Sequence, residues 1–176
     1  MATKILEREL SANPIITEAM EQAAHEAGIK LEYVNGIPVW EASSVIRHQS
    51  KTLEIQLSMM SFAKESGCDC IPLADISIRF PDGSLKRPDI SVYCAMPPER
   101  DTSTTQIPEA VIEIISKGYE KKDSEISLPF YLAQRIADIA LFDLATNRVA
   151  HYHEGKLNEY DSPVELTFAC GCRATI

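Results

Sequence analysis

The chain has 176 residues, 45% of them apolar and 24% charged, which is the composition of one ordinary globular domain that buries a core without covalent staples. Its net charge of −9 excludes broad, unspecific binding to nucleic acid, which needs many phosphate contacts, although a local basic patch stays open. No apolar run reaches the roughly 20 residues that cross a bilayer, and the opening MATKILERELSANP has no apolar h-region, so the expectation is a cytoplasmic protein without membrane contact.

Residues 17–27 (TEAMEQAAHEA) read as a helix, with Thr17 as N-cap and Gly28 as stop. Residues 31–34 and 37–40 flank Asn35-Gly36, a strong hairpin signal. Ser43 or Ser44 can then cap a long helix that runs to about Ser66 and ends at Gly67. Its Val45, Leu53, Leu57, Met60 and Ala63 approximate an apolar stripe of helical period. Strands follow at 70–73 and 75–80, the second with Ile76, Ile78 and Phe80 on one face, before the turn Pro81-Asp82-Gly83-Ser84. Residues 89–94 (DISVYC) read as a strand entered through Pro88, and the proline-rich 96–107 as a loop. Residues 110–115 (AVIEII) are nearly continuously apolar, as a central strand covered on both faces requires. A short helix holding Pro129 follows, with Ser127 a candidate cap, and then strands at 139–144, 148–153, 157–160 and 166–170. The sum is a mixed α/β domain over 1–176, an α+β arrangement in which helices flank a mixed sheet.

The five cysteines are Cys68, Cys70, Cys94, Cys170 and Cys172. With no secretory signal, reduced and partly buried thiols are expected rather than disulfides. The two Cys-x-Cys pairs match zinc spacing poorly, since zinc pairs usually lie two to four residues apart.

Glu113 draws attention because it sits inside AVIEIIS, a run that otherwise belongs in a core. A buried carboxylate needs a partner, either a basic side chain or a metal. Asp89 begins a strand behind Arg87-Pro88, and if the two strands are neighbours the two carboxylates approach each other. At about 4 Å they repel by roughly 4 kcal/mol at an effective dielectric near 20. A divalent cation reverses that sign, and Mg²⁺ suits a site with a few carboxylates.

The segment FPDGSLKRPDISVY followed by PEAVIEIIS resembles the Uma-two family of restriction-endonuclease-like proteins, within the PD-(D/E)XK nuclease superfamily. Asp123, Tyr131 and Asp143, which closes IALFD, fill the family's later places. LEYVNG resembles its hairpin, and His48 resembles its histidine near the start of the long helix. The resemblance covers about residues 15–155. It implies the restriction-endonuclease-like fold, with Asp89 and Glu113 as ligands of Mg²⁺ or Mn²⁺. It also implies a deoxyribonuclease, a hydrolase of DNA, in which a lysine orients the attacking water. Many nucleases of this fold act as homodimers to cut two strands, so a homodimer is a further expectation.

That lysine is missing from both expected places. Ile115 stands two residues after Glu113, and Ser127 stands at the helix position. Lys117, Lys121 and Lys122 are the substitutes in the sequence, Lys117 on the same strand face as Glu113. Glu32 and His48 are secondary candidates for metal or phosphate contact. Glu54 reads as a surface charge. His151 and His153 alternate on one strand face, without an evident third ligand. The missing lysine and the negative charge favour an alternative, a catalytically impaired nuclease fold with a nucleic-acid-binding or regulatory role.

Overall fold

The computed structural model describes residues 16–34, 36–41, 45–67, 69–98, 102–116 and 122–176. In chain order the elements are α1 (Glu18–Glu26), β1 (Lys30–Val34), β2 (Ile37–Glu41), α2 (Ile46–Ser66), β3 (Ile71–Ala74), β4 (Ser77–Arg79), β5 (Leu85–Lys86), β6 (Ile90–Tyr93), β7 (Ser103–Thr104) and β8 (Ala110–Ile115). A π-helical turn (Lys122–Ser127) leads into α3 (Leu128–Ala133), then β9 (Asp138–Asp143), β10 (Arg148–His153), β11 (Lys156–Asp161), β12 (Glu165–Thr167) and β13 (Arg173–Thr175). Among the described residues no helix is long and apolar enough to cross a membrane.

The main sheet has the order β11-β10-β9-β8-β6-β3. Its central strands β8 and β9 run parallel, and the remaining pairs are antiparallel. Alternation along β8 sends Ala110, Ile112 and Ile114 to one face, where Ile55 and Met59 of α2 and the Leu166–Phe168 tail complete a core. Val111 goes to the other face, against Phe130 and Tyr131 of α3 and Val34, Ile78 and Phe80. Glu113 shares this second face by strand period. Covering on both faces is why the strand reads as a continuous apolar run.

A second sheet, β2-β1-β5-β4-β7, lies on that second face. The β1–β2 hairpin has the register the Asn-Gly signal implies, with Val34 opposite Ile37. Leu31 and Tyr33 of β1 pack with Leu85 and Ile16 in a small separate core. The opposite face of β1 carries Lys30, Glu32 and Val34, so the charged half of the strand looks inward to the main sheet. Helix α1 is held by Glu21, which accepts from Arg79 Nη2 at 2.6 Å and from Ser103 Oγ at 3.2 Å. Its N-cap is Thr17, as expected.

Several expectations are corrected. The long helix buries His48, Thr52, Ile55 and Met59, whereas Leu53, Leu57 and Met60 are 56%, 56% and 58% exposed. Both rows have helical period. The sheet selects the row that delivers His48 to Asp89 while Ile55 and Met59 fill the core. The N-cap of α2 is Val45, and Ser43 and Ser44 lie outside the described residues. The strand read at 75–80 is shortened, because Asp75 takes a left-handed φ of 57°. Two-residue strand β5 lies between the turn and the strand at 89–94, where local pattern predicts no element, and β7 lies in the segment read as a loop. Cys70 and Cys172 form a disulfide with Cα atoms 5.9 Å apart, not a pair of reduced thiols.

His151 and His153 do have a third partner. Asp138 is fully buried, and one of its oxygens meets His151 Nε2 at 2.9 Å and His153 Nδ1 at 2.6 Å. Each nitrogen must therefore carry its proton. The second oxygen accepts from Ala169 N at 2.7 Å, tying the C-terminal tail to β9. Burial works against this carboxylate, but the two histidine bonds and the Ala169 N–H outweigh it and hold its pKa below the ordinary aspartate value. Its contribution is therefore present above the unfolded carboxyl pKa and lost as pH falls through the lower folded value. Asp138→Ala is expected to cost about 3 kcal/mol in urea unfolding at neutral pH. The deficit should shrink as the medium is acidified below pH ~4. An unchanged midpoint would mean the network contributes nothing.

Candidate active site

Asp89 and Glu113 sit side by side because β6 pairs with β8 in a register that sets Ile90 opposite Ile112. Two bonds lace them together. Asp89 N donates to Glu113 Oε2 at 3.2 Å, and Ile114 N donates to Asp89 Oδ2 at 2.8 Å. Glu113 Oε1 accepts from the Tyr131 hydroxyl of α3 at 2.6 Å. Asp89 Oδ2 also meets His48 Nε2 at 3.0 Å. The other nitrogen of His48, Nδ1, is buried with no hydrogen-bond partner among the described residues.

Lys30 reaches this pair from β1, with its ammonium 3.6 Å from Asp89 Oδ1 and 3.5 Å from Asp75. Burial works against the ammonium. The charges of Asp89, Glu113, Glu32 and Asp75 outweigh it and hold its pKa above the ordinary lysine value. Burial also works against the Asp89 carboxylate, but the His48 bond, the Lys30 charge and the Ile114 N–H hold its pKa below the ordinary range. Four carboxylates thus converge electrostatically on one cation, and that cation here is an amine.

Beside this lies a second buried group. Glu32 accepts from Arg87 N at 2.9 Å through one oxygen and from Lys86 Nζ at 2.6 Å through the other. Lys86 is fully buried and also donates to Ser127 Oγ at 3.0 Å. Its ammonium stands 5.5 Å from the centroid of the Tyr131 ring, the same tyrosine that holds Glu113. Ser127 makes no side-chain cap on α3, against the sequence expectation, because its hydroxyl serves Lys86 instead.

The structure brings together four of the expected residues, Asp89, Glu113, Glu32 and His48. Lys117 and Lys121 lie outside the described residues, and of Lys122 only the backbone is described, at the start of the π-helical turn. Glu54 is an exposed charge paired with Lys51 at 2.7 Å. Sequence reasoning missed Lys30 and Lys86. Lys30 and Glu32 alternate on a strand whose other face is apolar, which in a lone hairpin reads as the solvent face. Lys86 lies on a two-residue strand, too short for any periodicity. Its one signal is position, three residues before Asp89 in Lys86-Arg87-Pro88-Asp89.

The donors at the acid pair are hard carboxylate oxygens, which fit Mg²⁺ or Mn²⁺ and not a soft-ligand metal. In this structure the positive charge beside Asp89 is the Lys30 ammonium.

A family model, Uma2, described as "Putative restriction endonuclease", matches residues 17–169. The chain is similar to the crystal structure of "a putative nuclease belonging to DUF820" from Anabaena variabilis ATCC 29413, with a TM-score of 0.65 and 19% identity over 80% of this chain and 83% of that one. It is more distantly similar to a DrdV–DNA complex, with a TM-score of 0.40 and 15% identity over 60% of this chain and 9% of that chain. No curated protein matches.

Proposed function

Since the chain belongs to the Uma2 family and has the restriction-endonuclease-like fold, we propose that it hydrolyses DNA phosphodiester bonds at Asp89 and Glu113 with Mg²⁺ or Mn²⁺. The observation that carries this reading is the acid pair itself: two carboxylates on neighbouring strands, cross-bonded through backbone N–H groups, with the Lys30 ammonium already drawn to Asp89 at 3.6 Å. Asp89 and Glu113 would hold the ion, and Lys30 would give way to it. A bound divalent ion supplies Lewis-acid polarisation of the scissile phosphate.

The other roles belong to side chains. Tyr131 fixes Glu113 in one orientation by its 2.6 Å bond, and His48 does the same for Asp89. Lys86 takes the part of the missing helix lysine. Its ammonium arrives from β5 at the hydroxyl of Ser127, the residue that stands where the helix lysine is expected, so the charge reaches the same place from another strand. There it can orient a nucleophile or face a phosphate oxygen. Ser127 by itself favours the second reading, a nucleic-acid-binding relative without turnover; the buried Lys86 removes the main reason to prefer it.

The test uses purified full chain. Isothermal titration with Mg²⁺ and Mn²⁺ is expected to reveal a site, and a supercoiled plasmid should be nicked only when one of the ions is present. Binding without nicking would select the non-catalytic reading. Neither binding nor nicking would end the nuclease reading and the metal site with it.

A further inference from the structure

The chain's thiols are scattered along the sequence. Cys70 precedes β3, Cys94 follows β6, and Cys170 and Cys172 lie in the β12–β13 turn. Four of the five cysteines nevertheless converge at one place. The sulfurs of Cys94, Cys170 and Cys172 all lie within 4.8 Å of one another, and Cys70 is bonded to Cys172. Cys68 lies outside the described residues.

A Cys-x-Cys pair on an extended strand would hold its sulfurs about 6.6 Å apart. The turn removes that objection. Gly171 has a φ of 86°, Gly171 N donates to Phe168 O at 2.8 Å, and Phe168 N donates to Cys172 O at 2.9 Å, so the hairpin reverses within the pair. Glycine meets this φ without strain. A tetrahedral zinc with Zn–S bonds of about 2.3 Å sets its sulfurs about 3.8 Å apart, which the 4.8 Å limit on the sulfurs of Cys94, Cys170 and Cys172 accommodates. Cys172 is buried against the core, Cys170 is half-buried and Cys94 is exposed, which gives the cluster a dry wall and an open entry. The family match stops at residue 169, so Cys170 and Cys172 stand outside it.

We propose that Cys70, Cys94, Cys170 and Cys172, once the disulfide is reduced, form a four-thiolate Zn²⁺ site that pins the C-terminal hairpin to the ends of β3 and β6. Reduction by a dithiol passes two electrons to the Cys70–Cys172 bond. The S–S bond breaks, each sulfur takes a proton, and the dithiol closes to its own disulfide. Zn²⁺ then displaces four protons, one from each thiol, and four Zn–S bonds form. The soft thiolate donor set selects zinc over the hard cations suited to the acid pair. The inference does not rest on the nuclease reading.

The experiment is metal counting on the dithiol-treated full chain after desalting, with Co²⁺ as a spectroscopic probe. About one Zn²⁺ per chain is expected, together with the sulfur-to-cobalt charge-transfer absorption of tetrahedral thiolate coordination. Cys94→Ser, an exposed position that leaves the core intact, and Cys170→Ser should each lose that absorption and most of the bound zinc. His153→Ala should retain both. Reduced protein that binds no zinc overturns the proposal. So does zinc retained in Cys94→Ser but lost in His153→Ala, which would move the ion to the Asp138 cluster.

Discussion

Asp89→Asn and Glu113→Gln are each expected to lower metal-dependent plasmid nicking by about 10²–10³-fold or more, while leaving the protein folded. Both replacements keep the shape of the side chain, remove its charge and turn one acceptor oxygen into a donor. The amide oxygen introduced at position 89 could still accept from Ile114 N, and the one at position 113 from the Tyr131 hydroxyl, whereas the new amide nitrogen at position 113 faces the Asp89 N–H and loses that bond. The repulsion between two neighbouring carboxylates, roughly 4 kcal/mol at close range, also disappears, but in Asp89→Asn the attraction to Lys30 and His48 goes with it, so thermal unfolding should show a modest loss with the fold retained. Metal affinity measured by titration should fall in parallel with cleavage. Full nicking activity in either variant would remove the acid pair from the mechanism and with it the proposed function.

Lys86→Met carries the second large effect, and here stability and cleavage should both suffer. Lys86 and Glu32 are almost completely enclosed, and removing one partner strands the other charge. The expected cost in urea unfolding is about 3–5 kcal/mol. Adding Glu32→Gln removes the stranded charge, and most of that stability should return, because buried ion pairs contribute little net of their desolvation. Cleavage should not return with it. The informative rescue is Ser127→Lys in the Lys86→Met background. Ser127 Oγ lies 3.0 Å from the Lys86 nitrogen, so a lysine on the helix can restore an ammonium to the same space. Recovery of nicking in that double variant would identify the position of the charge as the requirement. If it recovers stability and no nicking, Lys86 is a structural partner of Glu32 and nothing more.

Much of the architecture was legible from local pattern. The Asn-Gly hairpin, the doubly covered strand around Glu113, the closing strands 139–144 and 148–153 and the helix from Thr17 each carry their own signal, in turn chemistry, alternation or capping. The acid pair was legible too, because an acid within AVIEII and an acid behind Pro88 are both out of place in strands that must be buried. The long helix was misread because periodicity identifies rows of residues and not the row that faces the sheet. Its more apolar row, Leu53, Leu57 and Met60, stays outside.

By itself the sequence determined the order of the longer elements, the two strands that carry Asp89 and Glu113, and the absence of a lysine at either expected place. Only the tertiary structure decided where the buried Lys86 is placed. Lys86 lies 41 residues from Ser127 and 54 from Glu32 along the chain, and the disulfide joins residues 102 apart. Local pattern reflects the neighbours a residue meets on its own helix or strand. A buried charge is decided by the partner that offsets its desolvation, and that partner is found only when distant strands are folded together.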